Sequence, residues 1–250
     1  MGAKFWNRLA YECQLWRGGL SHVAGTDEAG CGPLAGPVVA AAVVFPRHWL
    51  ETGLPSALRG LNDSKQLSET EREKFFGRIT SHPDIRFAIA SVDVETIDRI
   101  NIFHAAQRAM MLALEQLSPA AEHALVDGRA IKRLRIPQTP LVQGDARSYS
   151  IAAASVLAKV TRDRTMREMD LLFPGYGFAE HKGYSTPQHF AALEKLGACA
   201  IHRKSFGPLK PKELELFDTT ARKLWRAGER APQTAARASA PKIQRLRRRS

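Results

Sequence analysis

Four carboxylates in this sequence have the types and positions expected of residues that hold metal ions. Asp27 and Glu28 are adjacent in the small, apolar run HVAGTDEAGCGPLAGPVVAAAVV, Asp127 follows the apolar residues of AEHALVDG, and Asp163 lies in KVTRD. A buried carboxylate costs on the order of several kcal/mol unless it is paired, hydrogen-bonded or bound to a metal. Because oxygen-only ligand sets favour Mg²⁺ or Mn²⁺ over zinc, the acids predict a two-metal site for phosphoryl transfer.

Simpler interpretations stay open for two of these acids. Asp127 could form a turn with Gly128, and Asp163 could form an ion pair with Lys159 one helical turn earlier. Asp163 lies on an apolar stripe of its predicted helix and is therefore expected to face inward. This position argues against a purely surface role.

The elements that must position the acids begin with a β-hairpin. Residues 23–28 and 38–45 are predicted strands, joined by a Gly/Pro-rich turn. Neighbouring side chains on a strand point to opposite faces. Asp27 and Glu28 can therefore share one site only at a strand end or irregularity, or through the backbone carbonyl of Glu28.

The rest of the chain predicts alternating helices and strands. Ser68 and Glu71 form a capping-box pattern that starts a helix, and apolar residues recur at helical spacing over 94–117. RFAIASVDV and AEHALVDG are strand-like, and residues 148–173 predict a long helix rich in small residues. The Gly/aromatic loop FPGYGFAEHKGYS precedes a short helix that ends at Gly197, and KPKELELF predicts another helix.

Composition indicates one main globular domain in a reducing compartment. The 250 residues are 44% hydrophobic and 25% charged, which is ordinary for such a domain. Cys13, Cys31 and Cys199 are scattered, so neither a disulfide framework nor a thiolate zinc site is indicated. The sequence shows no signal-peptide core and no apolar run long enough for a membrane span. We therefore expect a cytoplasmic protein with no membrane partner.

The charge is strongly basic and concentrated at one end. The formal net charge is +12, and six basic residues with no acid lie in 231–250. Such an excess favours a polyanionic partner. The end segment lacks apolar periodicity and is predicted to be disordered. It could be a solubilising or incidental end, or it could give nonspecific affinity for nucleic acid.

Six motifs in order resemble ribonuclease HII, the type 2 ribonuclease H family. They are TDEAGCGPLAGPVVAAAVV, LNDSKQLS, VDG, QGDARSYSIAAASVLAKVTRD, PGYGFAEHKGYSTPQH and IHRKSFGP. The resemblance implies an α/β fold, a ribonuclease H-like mixed β-sheet flanked by helices, with a helical C-terminal part from about residue 175. It divides the chain into an N-terminal extension (1–20), a catalytic domain (21–218) and a basic tail (219–250).

The resemblance also implies an activity and its metal ligands. Members of the family are endonucleases that cleave the RNA strand of RNA/DNA hybrids and incise at ribonucleotides embedded in duplex DNA, leaving 3′-hydroxyl and 5′-phosphate ends. The acidic quartet of the family falls on Asp27, Glu28, Asp127 and Asp163, as catalytic residues and as ligands of Mg²⁺ or Mn²⁺. A monomer that serves DNA replication and repair is expected.

Substrate contacts are implied at a second group of positions. The turn of Gly30, Cys31 and Gly32 corresponds to the family's ribonucleotide sensor, which reads the 2′-hydroxyl largely through backbone groups. Glycine suits this role because it lets a backbone approach the ligand closely. Tyr184 matches a tyrosine that stacks on the sugar beside the RNA to DNA junction, as aromatic platforms can. Lys65 and Lys182 are candidate phosphate contacts.

Alternatives to these assignments stay open. Where the family commonly has an arginine, this chain has Cys31, and a catalytic cysteine is the competing interpretation, although no activating histidine is evident. Tyr184 could pack on its own glycines, and the two lysines could be solvated. His189, Asp145 and His202 are expected to brace loop and helix ends.

Two other functions stay open at the level of the whole chain. It could be a different nuclease or a transposase on the same fold, since fold does not determine function. The DEAG and HKGY segments argue against that possibility. It could also be a catalytically silent RNA/DNA-binding module, against which the presence of all four acids argues.

Overall fold

The fold is built on a five-stranded mixed sheet, described here by a computed structural model of residues 7–210. Its strands, in the spatial order β3-β2-β1-β4-β5, are β1 (Val23–Ala29), β2 (Val38–Val44), β3 (Arg86–Val92), β4 (His123–Asp127) and β5 (Gln138–Leu141). The pairs β1/β2 and β2/β3 are antiparallel, whereas β1/β4 and β4/β5 are parallel. The predicted hairpin and the mixed sheet are therefore confirmed.

Eight α-helices accompany the sheet within residues 7–210. They are α1 (Ala10–Arg17), α2 (Trp49–Thr52), α3 (Glu69–Thr80), α4 (Val94–Ile100), α5 (Ile102–Glu115), α6 (Tyr149–Leu172), α7 (Phe178–His181) and α8 (Pro187–Leu196). No helix in this part of the chain has the length and apolar character needed to cross a membrane.

Both faces of the sheet are covered by apolar cores. On one face, α1, α3 and α6 contribute buried residues, including Trp16, Ile79 and Val156. On the other face, α4 and α5 contribute residues such as Ile97 and Met110. This double coverage explains why every residue of β2 is buried and apolar, without the alternation of a half-exposed strand. The predicted architecture of a sheet flanked by helices is confirmed.

Local sequence signals set several helix boundaries. The predicted capping box is present, because Glu71 N donates to Ser68 Oγ (3.3 Å) and Ser68 N donates to Glu71 Oε2 (2.8 Å) at the start of α3. The prediction of one continuous helix over 94–117 is wrong. Asn101 has φ 65 and interrupts it, and its side chain accepts a hydrogen bond from His104 N (3.1 Å) to cap α5. Asparagine tolerates this left-handed backbone better than most residues.

Two elements of the fold escape sequence prediction. The edge strand β5 has only four residues and contains Pro140, which suits an edge position but hides the strand pattern. The predicted Gly/aromatic loop contains the single-turn helix α7, which packs with α8 on Ala35 and Met166 to form a small third core. These helices make up the helical C-terminal part of the described chain.

The segment that was expected to be an N-terminal extension packs into the main core. Leu9 and Trp16 are almost completely buried there. The buried Glu12 carboxylate accepts hydrogen bonds from Ser148 Oγ (2.6 Å) and Ser150 N (3.0 Å) at the start of α6. The predicted KPKELELF helix, beyond its first residue, and the basic tail lie outside the described residues.

Candidate active site

Two of the predicted acids lie side by side at the carboxyl edge of the sheet. Strands β1 and β4 are parallel neighbours, and Thr26 is in register with Val126. Asp27 and Asp127, the residues that follow, therefore reach the same edge at the same level. Glu28 is the penultimate residue of β1, so the pair Asp27 and Glu28 lies at a strand end, as one of the sequence interpretations required.

Helix α6, which carries the fourth acid, runs beside β1 in the same direction. A Cβ atom on Gly25 would lie 2.3 Å from Ser150 C, and one on Gly30 would lie 2.2 Å from Arg162 Nε. Two turns into the helix, the Ser155 side chain lies near Asp27 and acts to lower the pKa of that carboxyl group. Asp163 follows Arg162 directly and is 4% exposed, so its predicted inward orientation is confirmed.

The carboxylates at the strand ends repel one another in a buried environment. Burial raises the pKa of Asp27 well above its ordinary value, and the charges of Glu28 and Asp127 raise it further. Burial also raises the pKa of Glu28, and the charge of Asp127 acts in the same direction. Such a group of acids is stabilised by bound cations, and its all-oxygen donor set fits Mg²⁺ or Mn²⁺.

Each of the four carboxylates already has a local hydrogen-bond donor. Glu28 N donates to Asp27 Oδ1 (2.7 Å), and Gly144 N donates to Asp127 Oδ1 (2.6 Å). The remaining contacts are Cys31 Sγ to Glu28 Oε1 (3.5 Å) and Lys159 Nζ to Asp163 Oδ1 (2.6 Å). Consistent with these separate partners, no three His, Cys, Asp or Glu side chains within residues 7–210 form a ready-made metal-binding cluster.

Two completely buried arginines hold the turn that follows β1. Arg203 donates to the carbonyls of Gly30 (2.7 Å), Cys31 (3.3 Å) and Gly36 (2.8 Å). Arg162 donates to the carbonyl oxygens of Ala35, Pro37 and Lys182 at 3.0 to 3.1 Å. The two arginines therefore fix the carbonyl side of the turn.

The outer side of this turn faces the predicted stacking tyrosine. The amides of Cys31 and Gly32 have no hydrogen-bond acceptor within residues 7–210. A Cβ atom on Gly32 would lie 3.7 Å from Tyr184 Cε1, and the tyrosine side chain is 41% exposed. Turn and tyrosine therefore lie against each other, next to Glu28, whose carboxylate accepts a hydrogen bond from Cys31 Sγ.

Comparison with known proteins identifies the family of the chain. The family profile of ribonuclease HII matches residues 24–208. The chain belongs to the ribonuclease HII family. A ribonuclease HII from Anaeromyxobacter sp. (strain Fw109-5) is 50% identical over 222 residues, covering 86% of this chain and 68% of the relative. A second, from Ruminiclostridium cellulolyticum, is 50% identical over 198 residues, covering 79% and 74%.

A solved structure supports the same assignment. The ribonuclease H2 from Pyrococcus horikoshii OT3 matches with a TM-score of 0.60 and 26% identity, covering 75% of this chain and 94% of that one. The family and the ribonuclease H-like fold expected from the six motifs are therefore confirmed. As a member of this family, the chain is a metal-dependent nuclease, an endoribonuclease that acts on the RNA of RNA/DNA hybrids.

The thiol that replaces the usual arginine of the family is not activated. Burial raises the pKa of Cys31 to about 12, and the adjacent Glu28 carboxylate contributes to the rise. Since the thiolate is the nucleophilic form, this environment argues against the interpretation of Cys31 as a catalytic cysteine.

The two predicted lysines lie in different settings. Burial lowers the pKa of Lys65, but the charges of Asp63, Asp27 and nearby acids outweigh it, so the pKa is raised. Lys65 is exposed and therefore free to contact a phosphate while it faces the acidic site. Lys182 has φ 50, and its Nζ atom is hydrogen-bonded to the carbonyl of Ala179, so its charge is directed at its own turn.

Sequence reasoning missed several residues at this ribonuclease HII site. Asp63 joins Asp145 beside Asp127, and burial together with these neighbouring charges raises the pKa of Asp145 to about 6. Arg162 and Arg203 were not assigned a role, although Arg162 lies between apolar residues on the inward stripe of α6. The signal for Arg203 is absent from its local sequence because its acceptors lie more than 160 residues earlier.

Proposed function

We propose that this ribonuclease HII incises duplex DNA at embedded ribonucleotides, in addition to cleaving longer RNA/DNA hybrids. Its four acids, Asp27, Glu28, Asp127 and Asp163, are proposed to hold two Mg²⁺ or Mn²⁺ ions. The products carry 3′-hydroxyl and 5′-phosphate ends.

The observation that carries this proposal is the contact between the turn and the tyrosine. The carbonyls of Gly30 and Cys31 are bound by Arg203, while the amides of Cys31 and Gly32 are unpaired within residues 7–210. Fixed backbone donors can bind a 2′-hydroxyl, a group that is present in RNA and absent from DNA. Tyr184, which lies against the turn, supplies an aromatic face for the adjoining sugar.

The residues of the chain have distinct roles in the reaction. Divalent ions, when bound, supply charge neutralisation at the phosphate and activation of water for in-line displacement. Asp27 and Asp127 hold the site at the strand ends, and Glu28 contributes its side chain or its backbone carbonyl. Asp163 approaches from α6 and is paired with Lys159 in the absence of metal. Lys65, which is exposed and lies near the acids, is proposed to contact a substrate phosphate.

The wider biological setting is also part of the proposal. The basic charge of the chain favours association with a polyanionic duplex. We propose a cytoplasmic monomer that removes ribonucleotides during DNA replication and repair. Residues 21–218 are proposed as the catalytic domain and 219–250 as an accessory basic tail.

A cleavage assay on a single-ribonucleotide duplex tests the proposal. The purified protein should cut a DNA duplex with one ribonucleotide in the presence of Mg²⁺ or Mn²⁺, and should not cut with EDTA or with the all-DNA duplex. Tyr184→Ala should weaken cleavage at the single ribonucleotide, since stacking contributes roughly 1–3 kcal/mol per base and a sugar contact less.

Phe103→Ala provides a matched control for the tyrosine variant. Phe103 is 42% exposed, close to the 41% of Tyr184, but it lies on α5 away from the acids. Cleavage of the hybrid without cleavage at single ribonucleotides would contradict the proposed incision activity.

A further inference from the structure

Three buried histidines lie behind the proposed stacking tyrosine and belong to no metal-binding group. His181, His189 and His202 are 8%, 0% and 1% exposed. Their rings pack around Phe178 at centroid distances of 5.6 to 5.8 Å. The sequence suggested that two of them brace loop and helix ends, but their hydrogen bonds define a more specific role.

The hydrogen bonds of two histidines determine where their protons lie. Cys199 N donates to His202 Nδ1 (2.9 Å), and an amide can only donate, so the proton of neutral His202 is on Nε2. His202 Nε2 is 3.0 Å from His189 Nε2 and donates to it. His189 therefore carries its proton on Nδ1, which donates to the carbonyl of Tyr184 (2.9 Å).

The surroundings keep both rings neutral, as this chain of bonds requires. Burial, together with the neighbouring His189, lowers the pKa of His202 to about 4. Burial also lowers the pKa of His189. A second proton on either ring would place two hydrogen-bond donors against each other and break this series of hydrogen bonds.

The chain of hydrogen bonds ends on the backbone of Tyr184, the residue that lies against the turn. The Tyr184 carbonyl also accepts a hydrogen bond from Thr186 N (2.9 Å), and its amide donates to the carbonyl of His181 (2.9 Å). The peptide groups on both sides of Tyr184 are therefore held, although the side chain is open to solvent. Its ring position relative to Gly32 depends on this support.

We propose that His189 and His202 are positioning residues that set Tyr184 for recognition of the ribonucleotide. The chain of hydrogen bonds runs from the Cys199 amide through His202 and His189, and the Tyr184 carbonyl accepts the last bond. Neither imidazole touches the substrate. This inference rests on the proposed function, because it assumes that Tyr184 stacks on the sugar.

Two polar substitutions of His189 separate positioning from general packing. Asn places its side-chain amide near the position of Nδ1, so His189→Asn can still donate to Tyr184. Gln places its amide near the position of Nε2, so His189→Gln loses that donor while it stays polar. We expect His189→Asn to retain most of the kcat/KM at a single ribonucleotide and His189→Gln to lose about tenfold, as for one buried hydrogen bond left unmade.

The same variants in a Tyr184→Ala background show whether the effect passes through the tyrosine. If His189 acts by positioning Tyr184, His189→Gln should cause little further loss once the ring has been removed. Tyr176→Phe is the matched control, because Tyr176 packs in the same cluster and donates to the Gly197 carbonyl (2.9 Å), outside the chain of bonds. Thermal unfolding of each variant establishes that the fold is retained.

The outcomes separate this inference from the proposed function. Absence of cleavage at single ribonucleotides by the unaltered protein would contradict the proposed function. If the unaltered protein cleaves but His189→Asn and His189→Gln lose activity equally, the positioning inference is wrong. A tenfold loss that persists in the Tyr184→Ala background would overturn it as well.

Discussion

Lys159 Nζ lies 2.6 Å from Asp163 Oδ1, one turn apart on α6, and both side chains are largely buried. The two interpretations of Asp163 from the sequence are therefore compatible: it faces inward, and it pairs with Lys159. The lysine is the counter-ion of the acid when no metal is bound. A divalent ion that uses Asp163 competes with this pair.

Removal of Lys159 should increase the thermal stability that the protein gains when metal is added. Lys159→Met leaves the buried Asp163 charge uncompensated, so we expect a lower Tm without metal and a larger increase in Tm on addition of Mg²⁺ or Mn²⁺. Differential scanning fluorimetry with and without metal measures both. Lys74→Met, at an exposed position on α3, is the control. An unchanged metal-induced increase in Tm would show that Lys159 does not compete with the metal for Asp163.

Amide substitutions of the acids should separate catalysis from binding. Asp27→Asn and Asp127→Asn are expected to abolish cleavage while duplex affinity survives, because the folded basic body is retained. Asp163→Asn should be milder if this residue supports only one ion. Cleavage rates and fluorescence anisotropy are the measurements, and Asp84→Asn at an exposed loop is the control. Parallel loss of binding and cleavage would argue against a metal-binding role.

The raised pKa values of Asp27 and Glu28 predict how metal-free stability depends on pH. Both groups bind protons more tightly when folded, so their contribution to stability is fully present below the ordinary carboxyl pKa of about 4 and is lost as pH rises through the raised values. Asp27→Asn should therefore raise the Tm of the metal-free protein at pH 8 but change it little near pH 4.

Thermal unfolding in EDTA measures how much Asp27→Asn stabilises the metal-free protein. A stabilisation of about 1 kcal/mol shifts the Tm of a domain of this size by roughly 2–4 °C. Mg²⁺ at pH 8 should raise the Tm of the unaltered protein and reduce the advantage of Asp27→Asn. A variant that is less stable than the unaltered protein at pH 8 in EDTA would contradict the proposed charge repulsion.

The two glycines of the turn should respond differently to alanine. Gly30 has φ +101, and a Cβ atom there would lie 2.2 Å from Arg162 Nε, so Gly30→Ala should destabilise the fold by at least about 1 kcal/mol. Gly32 lacks a left-handed φ, and its added Cβ would make only an ordinary contact with Tyr184. Gly32→Ala should fold normally yet discriminate less against deoxyribose, because the methyl group obstructs the backbone donors.

Chemical denaturation and a ratio of cleavage rates check the glycine prediction. The ratio compares a ribonucleotide with a 2′-deoxy control at the same position. Equal stability losses for both variants would contradict the steric argument. An unchanged ratio for Gly32→Ala would contradict close approach of the substrate to the turn.

Deletion of residues 231–250 should weaken duplex affinity and flatten its salt dependence. The segment carries six basic residues, and each phosphate contact contributes close to one unit of slope in log K against log salt. Binding measured over a range of salt concentrations tests this, and mapping of the cut position is the control. A shifted cut would show that the tail takes part in recognition.

The sequence by itself determined the family and most of the elements, and it singled out the four acids as candidates. Apolar runs that end in acids, the capping box at Ser68 and six ordered motifs are local signals, readable without coordinates. They predicted the β1/β2 hairpin and the long helix α6 because side-chain periodicity and capping act over a few residues. The same local reasoning failed at Asn101, where a single left-handed residue divides a continuous apolar pattern.

Only the tertiary structure decided which distant residues support the site. The parallel pairing of β1 with β4 sets Asp27 level with Asp127, and the path of α6 places Arg162 against Gly30. Arg203 reaches the turn across more than 160 residues of chain. Hydrogen bonds and charge interactions depend on distance in space, so contacts between residues far apart in sequence leave no periodic trace along it.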